Sequence, residues 1–252
     1  MASSVPGRRE KLSEAAHLAH PIHAPLSDAS VSELIEAMQF RPGDRVVDIG
    51  CGTGEWLFRI ATATGTAGLG LDTSKAALRL ARMRSRQVSP APSFQAMDAA
   101  HWHPDTAFQH ALCVGSTHAL GGLQSTLRRA HEILEPDGRL LVGDGIWQVS
   151  PTPAALGALG ASPAEFPGLE VLLSMFVEHG YAVVDKVVST EAEWDEYETR
   201  WSDDAEQWGK DNPADPDSRW IIETAREHRR GYWDGYRGVL GFVTAVLVAA
   251  DS

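Results

Sequence analysis

The chain has 252 residues, 43% of them hydrophobic, and its formal net charge is −12 at pH 7. This length and hydrophobic content are typical of one globular α/β domain with a sizeable core. The acidic excess argues against a nucleic-acid interface, and the lack of a transmembrane-length apolar run or a signal-peptide core predicts a cytoplasmic protein with no membrane span.

The first 40 residues are rich in Pro, Ser and His and are predicted to form an N-terminal helical cover. A short helix is expected around Arg9–Ala19, and a second helix over Ser32–Gln39 precedes the first strand. Strand-like and helix-like segments then alternate, which predicts a mostly parallel sheet with helices on both faces.

The segment Val46–Glu55 reads VVDIGCGTGE, a buried strand over 45–49 that contains Asp48 and breaks into a turn with alternate glycines. Such glycines let a ligand approach the backbone, and the helix predicted over 56–63 directs its first N–H groups to the same place. The spacing is D-x-G-x-G-x-G rather than the G-x-G-x-x-G of dinucleotide-binding proteins. The turn therefore predicts a site for a nucleoside-containing cofactor.

Two further strands end beside an acidic residue. The strand over 68–72 ends at Asp72, at the distance from the glycines where a carboxylate accepts the hydroxyls of a ribose. The strand over 93–97 ends beside Asp98. Because the carboxyl ends of parallel strands meet at one edge of the sheet, the three acids predict a single cofactor site.

These residues resemble motif I of the class I S-adenosylmethionine-dependent methyltransferases. The passage Leu134–Val142 is similar to the L-x-P-G-G passage before the fifth strand of that family, and the string Cys113–Gly122 is similar to a bacterial subgroup of small-molecule methyltransferases. The resemblance implies a Rossmann-like α/β fold with a seven-stranded, mostly parallel sheet, helices on both faces, and S-adenosylmethionine as cofactor. In the family an acid at the place of Asp98 bonds the adenine amino group. The cofactor-binding residues that the resemblance implies are Asp48, Gly50, Cys51, Gly52, Gly54, Asp72, Thr73, Asp98, Ala99 and Gly115.

The same pattern divides the rest of the chain. Further strands and helices are predicted over 74–86, 109–115, 123–134, 139–144, 168–179 and 182–189. Residues 1–40 are the predicted cover, 41–190 the cofactor-binding core, 191–237 a helical cap inserted between strands six and seven, and 238–252 the final strand, antiparallel in the family.

The segment 191–237 is too long for an ordinary connection and must have structure of its own. Trp194, Tyr197 and Trp201 share one face at helical spacing. They form either an aromatic seam that packs helices onto the sheet or a surface that binds the substrate. With Trp147 and with His23, whose segment resembles an N-terminal piece that closes over the cofactor in related enzymes, they are the candidate substrate-binding residues. An exposed aromatic face here also fits a homodimer.

Candidate catalytic residues lie where strands four and five end. His118 carries an imidazole suited to take a proton at neutral pH, and Asp144 is a second base or a clamp for a substrate amine or hydroxyl. The alternatives are a loop histidine that caps a helix or contacts the cofactor, and a turn aspartate flanked by Gly143 and Gly145.

No metal site is predicted, because loop histidines without Cys, Asp or Glu partners are weak ligand sets. These histidines are His20, His23, His101 and His103. Cys51 and Cys113 suggest neither a disulfide framework nor a zinc site.

The predicted function is transfer of a methyl group to a small molecule, aromatic or heteroaromatic, at an oxygen or nitrogen nucleophile. In-line displacement would be assisted by proximity and by a general base where the nucleophile carries a proton. The alternatives are a non-catalytic protein that binds S-adenosylmethionine and a methyltransferase that acts on a peptide side chain. Nucleic-acid acceptors are disfavoured because no Asn/Asp-Pro-Pro-Tyr/Phe motif follows the fourth strand.

Overall fold

The computed structural model describes residues 7–17 and 20–250. Between residues 46 and 249 they contain a seven-stranded sheet with the order β3-β2-β1-β4-β5-β7-β6. The strands are β1 (Val46–Ile49), β2 (Gly68–Asp72), β3 (Ser93–Ala96), β4 (Phe108–Val114), β5 (Leu134–Trp147), β6 (Tyr181–Val188) and β7 (Leu240–Ala249). Strands β1 to β5 pair in parallel, whereas β7 is antiparallel to β6. The predicted fold class is confirmed.

Helices alternate with these strands as predicted. They are α1 (Arg8–Ala16), α2 (Asp28–Met38), α3 (Glu55–Thr64), α4 (Lys75–Ser85), α5 (Leu123–Ile133), α6 (Pro153–Leu159), α7 (Leu169–Glu178), α8 (Glu191–Asp211) and α9 (Ser218–Gly231). Short 3₁₀ helices cover Ala99–His101 and Thr117–Leu120, and a π-helical turn covers Tyr232–Tyr236. The sequence pattern did not predict α6, and residues 18 and 19 of the first predicted helix lie outside the described residues.

The described chain forms two units. The sheet unit comprises Ser27–Ile146, Pro167–Ser189 and the chain from Phe242 onward. The helical unit comprises the described residues up to Leu26 together with Trp147–Phe166 and Thr190–Gly241.

Two segments differ from the predicted domain bounds. Residues 27–40 were assigned to the N-terminal cover, but α2 belongs to the sheet unit, because it buries Leu34 and Met38 and because the Arg139 guanidinium donates to the Ala37 carbonyl at 2.6 Å. Residues 147–166 were assigned to the core, but α6 packs on the turn Tyr232–Tyr236 of the helical unit.

Local features of the sequence explain individual strands and helices in both units. Strand β1 is buried along its whole length, as expected for an apolar strand inside a parallel sheet. In the helical unit, α8 starts with a capping box: the Thr190 hydroxyl accepts from the Glu193 N–H at 3.2 Å, and the Glu193 carboxylate accepts from the Thr190 N–H at 2.8 Å. Strand β5 begins at Leu134, earlier than predicted. At the position of the predicted turn, before Arg139, the register of β5 against β4 shifts.

Candidate functional site

The turn between β1 and α3 is held by backbone hydrogen bonds. The N–H groups of Gly50 and Cys51 both donate to the Leu71 carbonyl, at 2.8 and 3.0 Å, and the Gly54 N–H donates to the Cys51 carbonyl at 2.8 Å. The end of β1 is thereby fixed to the end of β2. Gly50, Gly52 and Gly54 all have positive φ angles, which side chains rarely tolerate.

Two of these glycines are required by neighbouring side chains of the protein. A Cβ at Gly50 would lie 2.4 Å from the Cβ of Ser116, whose hydroxyl donates to the Ile49 carbonyl at 2.6 Å. A Cβ at Gly54 would lie 2.5 Å from the ring of Phe94. Sequence reasoning explained the glycines by the approach of a ligand and missed Ser116 and Phe94. Ser116 follows the end of β4, and Phe94 lies within β3. These positions beside the predicted cofactor site were the sequence signal that could have identified the two residues.

Asp72 is oriented by two backbone donors. Its Oδ2 accepts from the Gly52 N–H at 2.8 Å and its Oδ1 from the Ser74 N–H at 2.7 Å. Each carboxylate oxygen keeps a free acceptor position, because a carboxylate oxygen offers two. Thr73 lies beside it and is exposed. The carboxylate is thus fixed in place with capacity to accept two hydroxyl groups.

Asp48 is 2% exposed, and its Oδ2 has no hydrogen-bond partner among the described residues. Burial, and then the charge of Asp72, raise the pKa of Asp48 to about 8. A buried carboxylate oxygen without a partner is costly unless a donor or a cation meets it. Burial also raises the pKa of the neighbouring Cys51 thiol, whose sulfur lies in the space beside Gly70.

The ends of β3 and β4 lie at the same edge of the sheet. Asp98 caps the short helix Ala99–His101, accepting from the Ala100 N–H at 3.0 Å and contacting His101 Nδ1 at 3.0 Å, and these bonds lower its pKa. Asp98 is exposed, whereas Ala99 is buried in the core. Gly115 is exposed, and its N–H donates to the Gly143 carbonyl at 2.9 Å.

The two predicted catalytic residues lie close enough for the charge of His118 to act on Asp144. Thr117 donates its hydroxyl to Asp144 Oδ2 at 2.8 Å, and the Gly145 N–H donates to Oδ1 at 2.7 Å. Burial raises the pKa of Asp144, opposed by these two bonds and by the nearby charge of His118. His118 is exposed on the 3₁₀ helix Thr117–Leu120. Asp144 is therefore a carboxylate held in place by two donors, and His118 is an accessible imidazole.

The predicted substrate-binding residues all lie in the helical unit. Tyr197 contacts Trp194 directly, with the two rings edge-on and their centroids 6.2 Å apart. It is connected to His23 through His17: the Tyr197 hydroxyl lies 3.3 Å from Nε2 of His17, whose ring stacks on that of His23 at 4.1 Å. Trp201 lies against His228, with ring centroids 4.0 Å apart.

His23 keeps an exposed surface, yet its pKa is lowered to about 3. The main cause is partial burial of the imidazole, and the neighbouring His17 and His20 imidazoles lower the pKa further. This imidazole is therefore neutral at physiological pH, and it presents an uncharged polar ring.

Trp147 makes a different set of contacts. Its indole N–H donates to the Pro163 carbonyl at 3.0 Å, and its ring meets Phe166 at 5.2 Å. Trp233 is 47% exposed, whereas Trp194 and Tyr236 are buried. The homodimer stays a prediction.

Within the described ranges, no three metal-ligating side chains cluster, and no helix is both long and apolar enough to span a bilayer. The two cysteines are free.

Comparison with known proteins gives a consistent result. Residues 46–138 match the model of a family described as a methyltransferase domain. The uncharacterized protein YjhP of Escherichia coli strain K12 is 31% identical over 200 residues, which are 78% of this chain and 81% of YjhP. The 27-O-demethylrifamycin SV methyltransferase of Amycolatopsis mediterranei is 34% identical over 124 residues, 48% of this chain and 45% of the relative.

A solved structure extends the similarity to nearly the whole chain. The crystal structure of a SAM-dependent methyltransferase from Geobacter sulfurreducens, in complex with S-adenosyl-L-homocysteine, has a TM-score of 0.89 at 30% identity. The match covers 95% of this chain and 98% of that one.

Proposed function

This chain belongs to the S-adenosylmethionine-dependent methyltransferases, and on that premise we propose that its sheet unit holds the methyl donor while its helical unit recognises a small-molecule acceptor. S-adenosylmethionine is the cofactor of the family and of this chain. The division is supported by the oriented Asp72 carboxylate in the sheet unit and by the uncharged rings of His23, Trp194 and Tyr197 in the helical unit.

The residues at the strand ends fit the donor. Asp72 has acceptor positions for the two ribose hydroxyls, and the positive-φ glycines bring backbone close to the same place. The Asp48 carboxyl is neutral in the free chain, and its unpartnered oxygen can take a hydrogen bond from the amino group of S-adenosylmethionine, whose positive charge would favour the ionised carboxylate once bound. Asp98 remains the proposed contact of the adenine amino group, and Ala99 a proposed cofactor-binding residue.

When bound, the cofactor supplies a methyl group already activated for displacement by its sulfonium. The chain must then align the acceptor, exclude water and remove any proton from the nucleophile. We assign that last role to His118. Asp144, held by Thr117 and Gly145, is proposed as a second base or as a clamp for an amine or hydroxyl of the acceptor.

The acceptor we propose is an aromatic or heteroaromatic molecule with an oxygen or nitrogen nucleophile. The neutral His23 ring and the Trp194–Tyr197 pair offer uncharged, planar contacts. The relative from Amycolatopsis is named for O-methylation, and its alignment spans less than half of either chain, so it supports small-molecule transfer as a class.

Calorimetric titration of the full chain with S-adenosylmethionine, S-adenosylhomocysteine and NAD tests the donor site. We expect micromolar binding of the first two ligands and none of NAD. Lack of binding by both sulfur ligands contradicts the proposal.

Transfer of labelled methyl from S-adenosylmethionine to catechol, 2-naphthol, aniline and a peptide mixture tests the acceptor. Transfer to the peptides alone supports the peptide alternative, and cofactor binding without any transfer supports a non-catalytic role. His118→Gln should lower kcat by about 100-fold or more, the usual contribution of a general base, with unchanged S-adenosylhomocysteine affinity. His131→Gln, an exposed histidine of the same unit, is the matched control.

A further inference from the structure

A charged side chain of α5 is largely buried in the sheet unit. The Arg129 side chain is 13% exposed, whereas its neighbour Arg128 is exposed and donates to the Ser125 hydroxyl of the same helix at 3.0 Å. A guanidinium is seldom buried unless its N–H groups have partners. Arg129 finds two of its partners on a loop that lies 26 and 27 residues earlier in the chain.

The loop that Arg129 contacts follows β3. The guanidinium donates to the Trp102 carbonyl and, at 3.2 Å, to Nδ1 of His103, and it also pairs with the Glu132 carboxylate of α5. The planar fork of a guanidinium can serve several acceptors at once, which a single ammonium group does less well. The Trp102 ring lies against Phe108, with centroids 5.7 Å apart. The end of the loop is therefore held by both its backbone and its indole ring.

The segment from Asp98 to Trp102 is a single hydrogen-bonded turn. The Trp102 N–H donates to the Ala99 carbonyl at 3.3 Å, and just before the turn the Met97 N–H donates to the Asp72 carbonyl at 2.9 Å. The turn is thus tied to β2 at its start and to α5 at its end. Because β3 is an edge strand with a neighbour on one side only, the place of the Asp98 carboxylate depends on these two attachments.

The rest of the proposed donor site is held by other bonds. The N–H groups of Gly50 and Cys51 donate to the Leu71 carbonyl, and Asp72 accepts from the N–H groups of Gly52 and Ser74. None of these bonds involves α5. Loss of the Arg129 guanidinium should therefore release the end of the turn that carries Asp98 and leave the ribose contacts in place.

We propose that Arg129 positions Asp98 for the amino group of adenine, and that it thereby determines the selectivity of the donor site for adenine over hypoxanthine. The inference rests on the proposed function, because it takes S-adenosylmethionine as the donor and Asp98 as the contact of the adenine amino group. The role of Arg129 is indirect, since it acts through the backbone of the turn. Hypoxanthine has a carbonyl oxygen where adenine has the amino group, so a carboxylate fixed at this place disfavours it.

The test titrates the full chain by calorimetry with S-adenosylhomocysteine and with S-inosylhomocysteine, in which a carbonyl replaces the adenine amino group. We expect the wild type to prefer S-adenosylhomocysteine by at least about tenfold, the value of one hydrogen bond to a charged group. Arg129→Met should lower the affinity for S-adenosylhomocysteine by about tenfold and change that for S-inosylhomocysteine by less than about threefold. Arg128→Met, at the next position of the same helix, is the matched control and should keep the wild-type preference.

Two further variants separate positioning from a general loss of structure. Asp98→Ala should abolish the preference, and Arg129→Met in that background should not change the ratio of affinities further. Arg129→Lys keeps the charge with fewer donors and should give an intermediate ratio, so it decides the question if Arg129→Met does not fold.

The outcomes that overturn the proposal are specific. They are a wild-type ratio in Arg129→Met, or in Arg129→Lys when the methionine variant is unfolded; an equal loss of affinity for both ligands in Arg129→Met; and a preference that Asp98→Ala retains. The wild type alone distinguishes failure of the donor site: if it does not bind S-adenosylhomocysteine, the proposed function is wrong. Equal binding of the two ligands by the wild type leaves the donor site intact and overturns this inference.

Discussion

The sheet unit and the helical unit position their functional groups by different means. In the sheet unit, Asp72 is oriented by backbone N–H groups, and the turn Gly50–Gly54 is shaped by positive φ angles. In the helical unit, Tyr197, His228 and Glu198 are positioned by other side chains that are distant in sequence. Backbone-held sites depend on a few local residues, and side-chain networks depend on packing between helices. A site held by the backbone is therefore sensitive to atoms added by a substitution, whereas a side-chain network is sensitive to the loss of a hydrogen-bonding or packing partner.

The strongest test of that difference compares one glycine from each unit. Gly50→Ala adds a Cβ 2.4 Å from Ser116 at a φ of +73°, so we expect loss of S-adenosylhomocysteine affinity by at least about 100-fold and a large drop in unfolding temperature. Gly157→Ala, at an exposed position of α6 where an added Cβ would meet no atom within 4 Å, should be neutral or stabilising by about 1 kcal/mol. Calorimetry with S-adenosylhomocysteine and thermal melts of both variants measure these effects. Similar losses in the two variants would contradict the proposed difference between the units.

Asp48 gives the next largest effect, and it depends on pH. The pKa of this buried group is raised from 3.8 to about 8, so the folded chain retains a proton that the unfolded chain releases. The free energy of unfolding therefore falls as pH rises through that window. Asp48→Asn stays neutral, so its stability relative to the wild type should grow by up to about 1.4 kcal/mol per pH unit.

Urea unfolding at pH 5, 6.5 and 8 measures this change. Asp137→Asn, at an exposed position of the same unit, is the control and should leave the pH profile unaltered. A difference between Asp48→Asn and the wild type that is constant across the three pH values would show that Asp48 is not the group responsible.

Asp72→Ala should weaken cofactor binding by about 10- to 100-fold, as expected for the loss of charge-assisted hydrogen bonds to ribose hydroxyls. Its two backbone donors would also lose their acceptor. Titration with S-adenosylhomocysteine measures the change, and Asp137→Ala serves as the matched carboxylate deletion. Wild-type affinity in the Asp72 variant would rule out the ribose assignment.

The smallest effect is expected on the surface of the helical unit. Lys11 of α1 pairs with Asp215 at 2.9 Å and with Asp217 at 2.8 Å, and these bonds raise its pKa. Exposed ion pairs contribute little and are screened by salt. Lys11→Met should lower the unfolding temperature slightly at low salt and not at high salt. A large drop in unfolding temperature that persists at high salt would mean that the stability of the helical unit depends on this surface ion pair.

The succession of strands and helices along the chain, the glycine turn and the acidic strand ends could be predicted from the sequence, because each is a local pattern with a fixed period or spacing. Helix α6 could not, because its short stretch gains stability from packing on the turn Tyr232–Tyr236. Ser116 and Phe94 escaped for a similar reason: their importance arises only where they meet Gly50 and Gly54.

The helical unit shows the limit most clearly. The spacing of Trp194, Tyr197 and Trp201 indicated one helical face, which α8 confirms. Nothing in that spacing connected Glu198 to His228, 30 residues later, because the contact depends on how α9 lies against α8. Side-chain networks of this kind are visible only after the helices are placed.

The position of β7 has a consequence for synthesis of the protein. This strand lies between β5 and β6 in the sheet, although it is translated after both. While residues before Leu240 emerge from the ribosome, β6 has no neighbour to pair with, and the core that holds Val243, Ala245 and Leu247 is incomplete. The nascent chain thus exposes unpaired strand edges and apolar surface until its last strand arrives, which makes this interval the one in which a chaperone would act on it.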